Sequence, residues 1–206
     1  DQAKRGVLVV LTGPSGAGKT TMVASYVHDH PESKKVITTT SRQPREGEMD
    51  GVHYHFLTRQ DFEQKIAEGA FFEWVEFRGE LYGTQKQTLT ETLKDGTDAI
   101  WVIEAKGVKN IKQKIKAQLP RSVFIYLAVP DIAILRQRVY DAEGEEKAAL
   151  RWNEPLVIWE MKQYQDCDYL ILNKEDALTE ALKQVEAIII AKRLETLQEN
   201  SLANQE

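Results

Sequence analysis

The sequence predicts an α/β fold, a mainly parallel sheet flanked by helices with a small β-rich insertion beside it, on three observations. Short β-branched runs without polar alternation, the pattern of strands covered by helices on both faces, alternate with longer helical stretches. The first run, Val7–Leu11, passes straight into a glycine-rich loop and then into a helical pattern. From about Val36 to Tyr82 the rhythm breaks into strand-like pieces around Gly47, Gly51 and Gly79 and the aromatic run Phe71-Phe-Glu-Trp-Val-Glu-Phe77.

Taken in order, Val7–Leu11 reads as the central strand, followed by a helix over Lys19–Asp29. Gln60–Glu68 is the one short helix of the insertion, and Thr88–Lys94 the first helix after it. Strands at Ala99–Ile103, Ser122–Val129 and Tyr169–Leu172 complete the sheet, entered from turns or helix ends such as Asp95-Gly96 and Leu119-Pro120. Helices at Val108–Ile115, Asp131–Val139, Glu154–Tyr164 and Ala177–Leu197 fill the connections. The polar end, Gln198–Glu206, carries no functional expectation.

At 206 residues the chain suits one substantial domain and excludes a multidomain machine. Its best apolar run, Gly6–Leu11, falls far short of the ~20 residues of a membrane span, so no membrane partner is expected. A net charge of −5, from 27 basic and 32 acidic residues, speaks against nucleic acid as a partner while leaving room for basic clusters that hold a small anion. The lone Cys167 forbids an internal disulfide, which fits a cytoplasmic location.

The loop Gly13-Pro14-Ser15-Gly16-Ala17-Gly18-Lys19-Thr20 matches G-x-x-x-x-G-K-[ST] at every fixed position. Glycines admit dihedrals closed to other residues, so successive backbone N–H groups turn inward on phosphate oxygens, and the following helix presents its positive end to the same anion. Lys19 is then placed to neutralise the β and γ phosphates, and the Thr20 hydroxyl to ligate Mg²⁺, the expected cofactor. With Thr21 this makes a nucleoside triphosphate site of the P-loop NTPase fold. By itself it leaves ATPase, GTPase and kinase open.

A second anion site follows in Thr38–Phe56. Arg42 and Arg45, three apart and locked by Pro44, offer planar bidentate donors, and Tyr54 adds a phenol hydroxyl for another phosphate. This segment, with Phe72-Glu73-Trp74 and Tyr82-Gly83-Thr84, resembles the guanylate kinases, and the resemblance runs from Gly6 to about Arg193. It implies a monomeric or homodimeric enzyme that phosphorylates GMP, and dGMP, from ATP. It also implies a core at about 6–35, 85–139 and 154–195, a GMP-binding insertion at about 36–84 and a lid at about 140–153. Arg42, Arg45, Tyr54 and Tyr82 fall on the positions that hold the GMP phosphate, with Glu48 orienting the arginines. Thr38, Glu73 and Thr84 fall on those that read the base, and Glu104 on one that contacts GMP. A carboxylate beside a hydroxyl suits guanine, which presents two N–H donors next to the O6 acceptor. Asn173 falls on the adenine side, and Lys19, Arg42, Arg138 and Arg151 are the expected catalytic cations.

The chain departs from that family in the lid. Asp141-Ala142-Glu143 stands where the family shows glycine-arginine-glycine, and Trp152-Asn153 where it shows lysine-arginine. Arg151 serves if the lid carries a two-residue shift. Val102 and Lys106 replace an acidic residue and a glutamine. A second reading follows from these losses: a guanylate-kinase-like nucleotide- or protein-binding module with weak or no catalysis. The intact Gly13–Thr20 loop favours the enzyme. The His28/His30 and His53/His55 pairs read as surface rather than zinc ligands, and the apolar Trp152–Trp159 stretch as packing.

Overall fold

The computed structural model describes residues 6–119, 121–174 and 177–203. Along the chain, β1 (Leu8–Thr12) leads into α1 (Lys19–Asp29) and the short β2 (Lys34–Lys35). Then come β3 (Thr39–Thr40), β4 (His55–Phe56), α2 (Arg59–Ala67), β5 (Phe71–Phe77) and β6 (Glu80–Gln85). The chain continues through α3 (Lys86–Thr92), β7 (Ala99–Val102), α4 (Ala105–Gln118), β8 (Ser122–Ala128), α5 (Ile132–Glu143) and α6 (Glu145–Arg151). It ends in α7 (Glu154–Met161), β9 (Tyr169–Leu172) and α8 (Leu178–Ala203).

Five strands form a parallel sheet in the order β2-β7-β1-β8-β9, which places β1 at its centre. All five β1 residues are buried, and the reason is the one its unalternating sequence gave. Val9 and Leu11 pack on one face with Val23, Tyr26 and Ile125, while Leu8 and Val10 pack on the other with Trp101, Ile115 and Phe124. The glycine loop therefore leaves the carboxyl end of the central strand, where α/β sheets open their ligand crevices.

A second sheet, ordered β4-β3-β6-β5, hangs beside the first around the antiparallel β5–β6 pair. Its own small core is Phe62, Phe71 and Leu81, with the Phe62 and Phe71 rings stacked at 4.3 Å. Trp101 joins the two sheets. It is fully buried on β7, meets Phe72 edge-on at 5.8 Å, and donates its indole N–H to the Thr84 hydroxyl at 2.7 Å.

Several helix limits differ from expectation. α5 runs four residues beyond Val139 to Glu143, and after Gly144, whose φ of 78° and ψ of 157° break the helix, α6 begins at once. Most of the residues expected as a lid are thus helical, in keeping with the alanine, glutamate and lysine there. α4 starts at Ala105 instead of Val108, and α7 stops at Met161 before a 3-10 turn over Gln163–Asp166. In the apolar stretch Val157 enters the core and Trp152 packs against it, whereas Ile158 and Trp159 stay exposed. No helix among the described residues is long and apolar enough to cross a membrane.

Asp168 ties α4, β8 and β9 together. Its carboxylate takes Lys112 at 2.8 Å, Lys116 at 2.9 Å and the Phe124 N–H at 2.9 Å. Burial alone would raise its pKa, but the lysine and backbone donors outweigh it and hold the carboxyl below its ordinary value. A lowered folded pKa means stability that is present above the unfolded value near 4 and lost as pH falls through the folded one. Asp168→Asn is expected to cost about 1–2 kcal/mol at pH 7, the pair being part-exposed, and the gap to the parent should shrink in melts run below about pH 4. A gap that is constant with pH would rule out the charge as its cause.

Candidate active site

The donor side is the turn from β1 into α1. Gly13, Gly16 and Gly18 have φ of 146°, 82° and 91°, values that L side chains rarely adopt. At Gly13 a Cβ would also lie 2.3 Å from the Leu127 carbonyl, so the loop is pressed against β8. Gly18 caps α1 without a side chain, and no acidic residue sits in the first turn. The N–H groups of that turn and the positive end of the helix are therefore left for an external anion. Lys19 folds back over the loop, donating to the Gly13 carbonyl at 2.6 Å and the Pro14 carbonyl at 2.9 Å.

Two side chains brace this loop from behind. Asn173, at the end of β9, donates its amide to the Ala17 carbonyl at 2.8 Å. Glu160 on α7, 2% exposed, accepts the Ser15 N–H at 3.2 Å. Burial raises the Glu160 pKa, the Lys19 charge opposes that rise and the Glu104 carboxylate adds to it.

The acceptor side is the segment between β3 and β4. Glu48 holds both arginines: one oxygen pairs with the Arg42 guanidinium at 2.9 Å and the other accepts the Arg45 backbone N–H at 2.7 Å. Burial would raise the Glu48 pKa, but these donors win and keep it ionised below its usual range. Arg42 lies over the Tyr54 ring at 5.6 Å, and Tyr54 meets Tyr82 edge-on at 6.3 Å. Burial, with Glu104 nearby, pushes the Tyr54 phenol up to about 12, so it stays a proton donor across the physiological range.

One cavity of about 860 Å³ joins the two sides. Residues 15–21 line one wall, and Arg42, Arg45, Glu48, Tyr54 and Tyr82 line the other. Glu104 and Val102 lie along the cavity, and the α5 residues Arg138, Ala142 and Glu143 close one end. Glu143 approaches Arg45 to 3.6 Å, so the end of α5 and the segment between β3 and β4 touch across the opening. The volume and the separate anion binders suit two phosphorylated ligands rather than one.

The guanylate kinase family model matches residues 5–192 of the chain. The chain belongs to the guanylate kinase family. It is 36% identical to the guanylate kinase of Clostridium perfringens (strain 13) over 204 residues, 98% of this chain and 92% of that protein. It is 38% identical to that of Carboxydothermus hydrogenoformans over 193 residues, 92% and 90% of the two chains. The crystal structure of guanylate kinase from Anaplasma phagocytophilum superposes with a TM-score of 0.70 over 92% of this chain and 87% of that one, at 24% identity, a likeness of fold.

The residues that the family resemblance assigns to the base, Thr38, Glu73 and Thr84, are not among those lining the cavity. Glu73 on β5 is half-buried and accepts the Thr84 hydroxyl at 2.9 Å. Since Trp101 donates into that hydroxyl, its one proton is committed to Glu73. Thr84 thus orients the carboxylate in this conformation instead of offering a donor of its own. Burial pushes the Glu73 carboxyl up to about 7, against the pull of Thr84. Thr38 contributes its carbonyl to the His55 N–H, and its side chain does not line the cavity.

Two further guanylate kinase assignments look different in the fold. Asn173 lines the cavity, but its amide is taken by Ala17, so it holds the loop. Arg138 spends donors on the carbonyls of Asn173 and Lys174 at 3.3 and 3.4 Å. The Arg151 and Lys106 side chains lie outside the described residues. Neither histidine pair belongs to a metal-ligand cluster among the described residues: His30 stacks on Tyr26 at 4.3 Å, and His53 Nδ1 accepts the Met49 N–H.

Sequence reasoning missed Glu160 and Lys35. Lys35 lines the acceptor wall and donates to the His53 carbonyl at 3.0 Å, with burial lowering its pKa against the opposing Glu48 charge. A glutamate inside the apolar run Pro155-Leu-Val-Ile-Trp159 was the available signal for the first. The lysine, in a two-residue strand, gave none.

Proposed function

We propose that this chain transfers the γ-phosphoryl group of ATP to GMP, giving ADP and GDP, with the residues in the roles that follow. The observation that carries the reading is the pair of anion sites on opposite walls of one cavity: a P-loop helix terminus and the Arg42–Arg45–Tyr54–Tyr82 group. The triphosphate would lie along the loop, drawing Lys19 from the Gly13 and Pro14 carbonyls onto the β and γ oxygens. The GMP phosphate would take Arg42, Arg45 and the two phenols, with Glu48 holding the arginines in place. Its oxygen then attacks the γ-phosphorus in line, the bond to the ADP oxygen breaks, and no covalent enzyme intermediate is needed.

The cavity wall fits Mg²⁺, since the Thr20 hydroxyl and the Glu104 carboxylate are hard oxygen donors on it. When bound, the ion supplies charge neutralisation on the phosphate oxygens. Guanine would be read by Glu73, oriented through Thr84 and Trp101. Arg45 and Glu143, already in contact, mark where lid and acceptor loop would close to exclude water.

The test is coupled ADP release with ATP and Mg²⁺, offering GMP, dGMP, AMP and UMP in turn. Turnover stimulated by GMP and dGMP, and little by AMP or UMP, is expected. If GMP binds but no acceptor stimulates turnover, the chain is a binding module.

A further inference from the structure

Phosphoryl transfer spreads negative charge over the group in flight, so a cation is needed between the two anion sites as well as at each of them. Among the described residues, the α5 side chains on the cavity are Arg138, which spends donors on the Asn173 and Lys174 carbonyls, Ala142, a methyl group, and Glu143, an acid already turned to Arg45. On the acceptor wall a different element reaches the cavity: the tip of the β5–β6 hairpin, where Phe77 pairs with Glu80 across Arg78 and Gly79. Both tip residues have positive φ, 53° at Arg78 and 78° at Gly79, the pattern of a tight hairpin turn whose first place suits asparagine or glycine.

Arg78 is the one residue other than glycine with positive φ among the described residues. An arginine held in that conformation is a strained choice, and such outliers persist where the side chain has a task. The side chain has a defined seat. Its guanidinium stands over the Phe77 ring at 5.2 Å, and both residues line the cavity. Its positive charge is felt by Glu160, the buried carboxylate that accepts the Ser15 N–H of the phosphate loop. The hairpin belongs to the acceptor sheet, and its cation is a weaker influence on that carboxylate than burial or the Lys19 and Glu104 charges.

We infer that Arg78 supplies the guanidinium that stabilises the transferring phosphoryl group, from the hairpin tip rather than from the lid. The inference rests on the phosphotransferase reading above and adds to it a residue outside both anion sites. Such a group binds the transition state more tightly than either substrate, so its loss falls on kcat and not on KM.

Arg78→Gly and Arg78→Asn keep a residue that accepts the turn, so both variants should fold. Each is expected to lower kcat about 10²–10³-fold, with KM for ATP and GMP within about threefold of the parent. Both should lose the tight complex that the parent forms with ADP, GMP, Mg²⁺ and fluoroaluminate, and added guanidinium ion should restore part of the rate. A kcat within about threefold of the parent, or a loss confined to KM for GMP, would overturn the inference and leave Arg78 a turn or acceptor residue. Absence of GMP-stimulated turnover in the parent itself would overturn the phosphotransferase reading, and this inference with it.

Discussion

Lys19→Ala is expected to lower kcat by about 10³-fold or more while leaving the fold intact. The proposed mechanism draws the Lys19 ammonium, one residue beyond the Gly18 cap, onto the β and γ oxygens. In the ligand-free fold it is stored on the Gly13 and Pro14 carbonyls. A triphosphate must compete with those two bonds, and it does so with oxygens that share its negative charge, which adds ion-pair attraction to the hydrogen bonds of the ammonium. The loop's shape does not depend on the lysine, because the glycine dihedrals and the Asn173 and Glu160 braces remain. Melting temperature should therefore move little while turnover collapses. Lys19→Arg should recover little, since a planar fork cannot take the place of a compact ammonium on a flexible stem. An alanine variant within tenfold of the parent would remove Lys19 from the proposed mechanism.

The parts of this architecture that were legible in the sequence are those fixed locally. Val7–Leu11 announced a strand buried on both faces because five adjacent apolar residues leave no solvent side, and both faces are covered. The Gly13–Thr20 spacing announced a phosphate loop because glycine φ values and a helix terminus are set by neighbours in the chain. The expected helix over Asp131–Val139 ends too early, although the alanine and glutamate at 142 and 143 favour its continuation to Glu143. Positioning contacts were out of reach for another reason. Asn173 and Ala17 are 156 residues apart, and Ser15 and Glu160 are 145 apart, so which polar group braces the loop is decided only when α7 and β9 pack beside β1. Thr84 shows the same limit from the other side. Its type suggested a base donor, and only the indole of Trp101, 17 residues on, reveals that its proton is already given to Glu73.

The second large effect is expected at that carboxylate. Glu73→Gln should raise KM for GMP about 10²-fold, since two hydrogen bonds from guanine to a charged acceptor are worth roughly 1.5–3 kcal/mol each and a glutamine turns a donor toward donors. Its pH signature separates this role from packing. Burial pushes Glu73 up to about 7 in the ligand-free protein, whereas the guanine N–H groups favour the ionised form. As pH rises from 6 to 8 the carboxylate becomes ready to accept, so the parent's KM for GMP should fall by roughly an order of magnitude. The sign for stability is opposite. A carboxyl whose folded pKa lies above its unfolded one loses stability as pH climbs from about 4.5 toward 7, so Glu73→Gln should melt higher than the parent near pH 8. The GMP phosphate titrates near pH 6 in both proteins, so its contribution cancels in the ratio of the two KM profiles. A Glu73→Gln profile parallel to the parent's would mean that the carboxylate does not meet the base. A parent KM that falls about tenfold from pH 6 to 8 relative to the variant's, with the variant more stable near pH 8, would tie the carboxylate to guanine recognition, its proton yielding to a ligand with two donors.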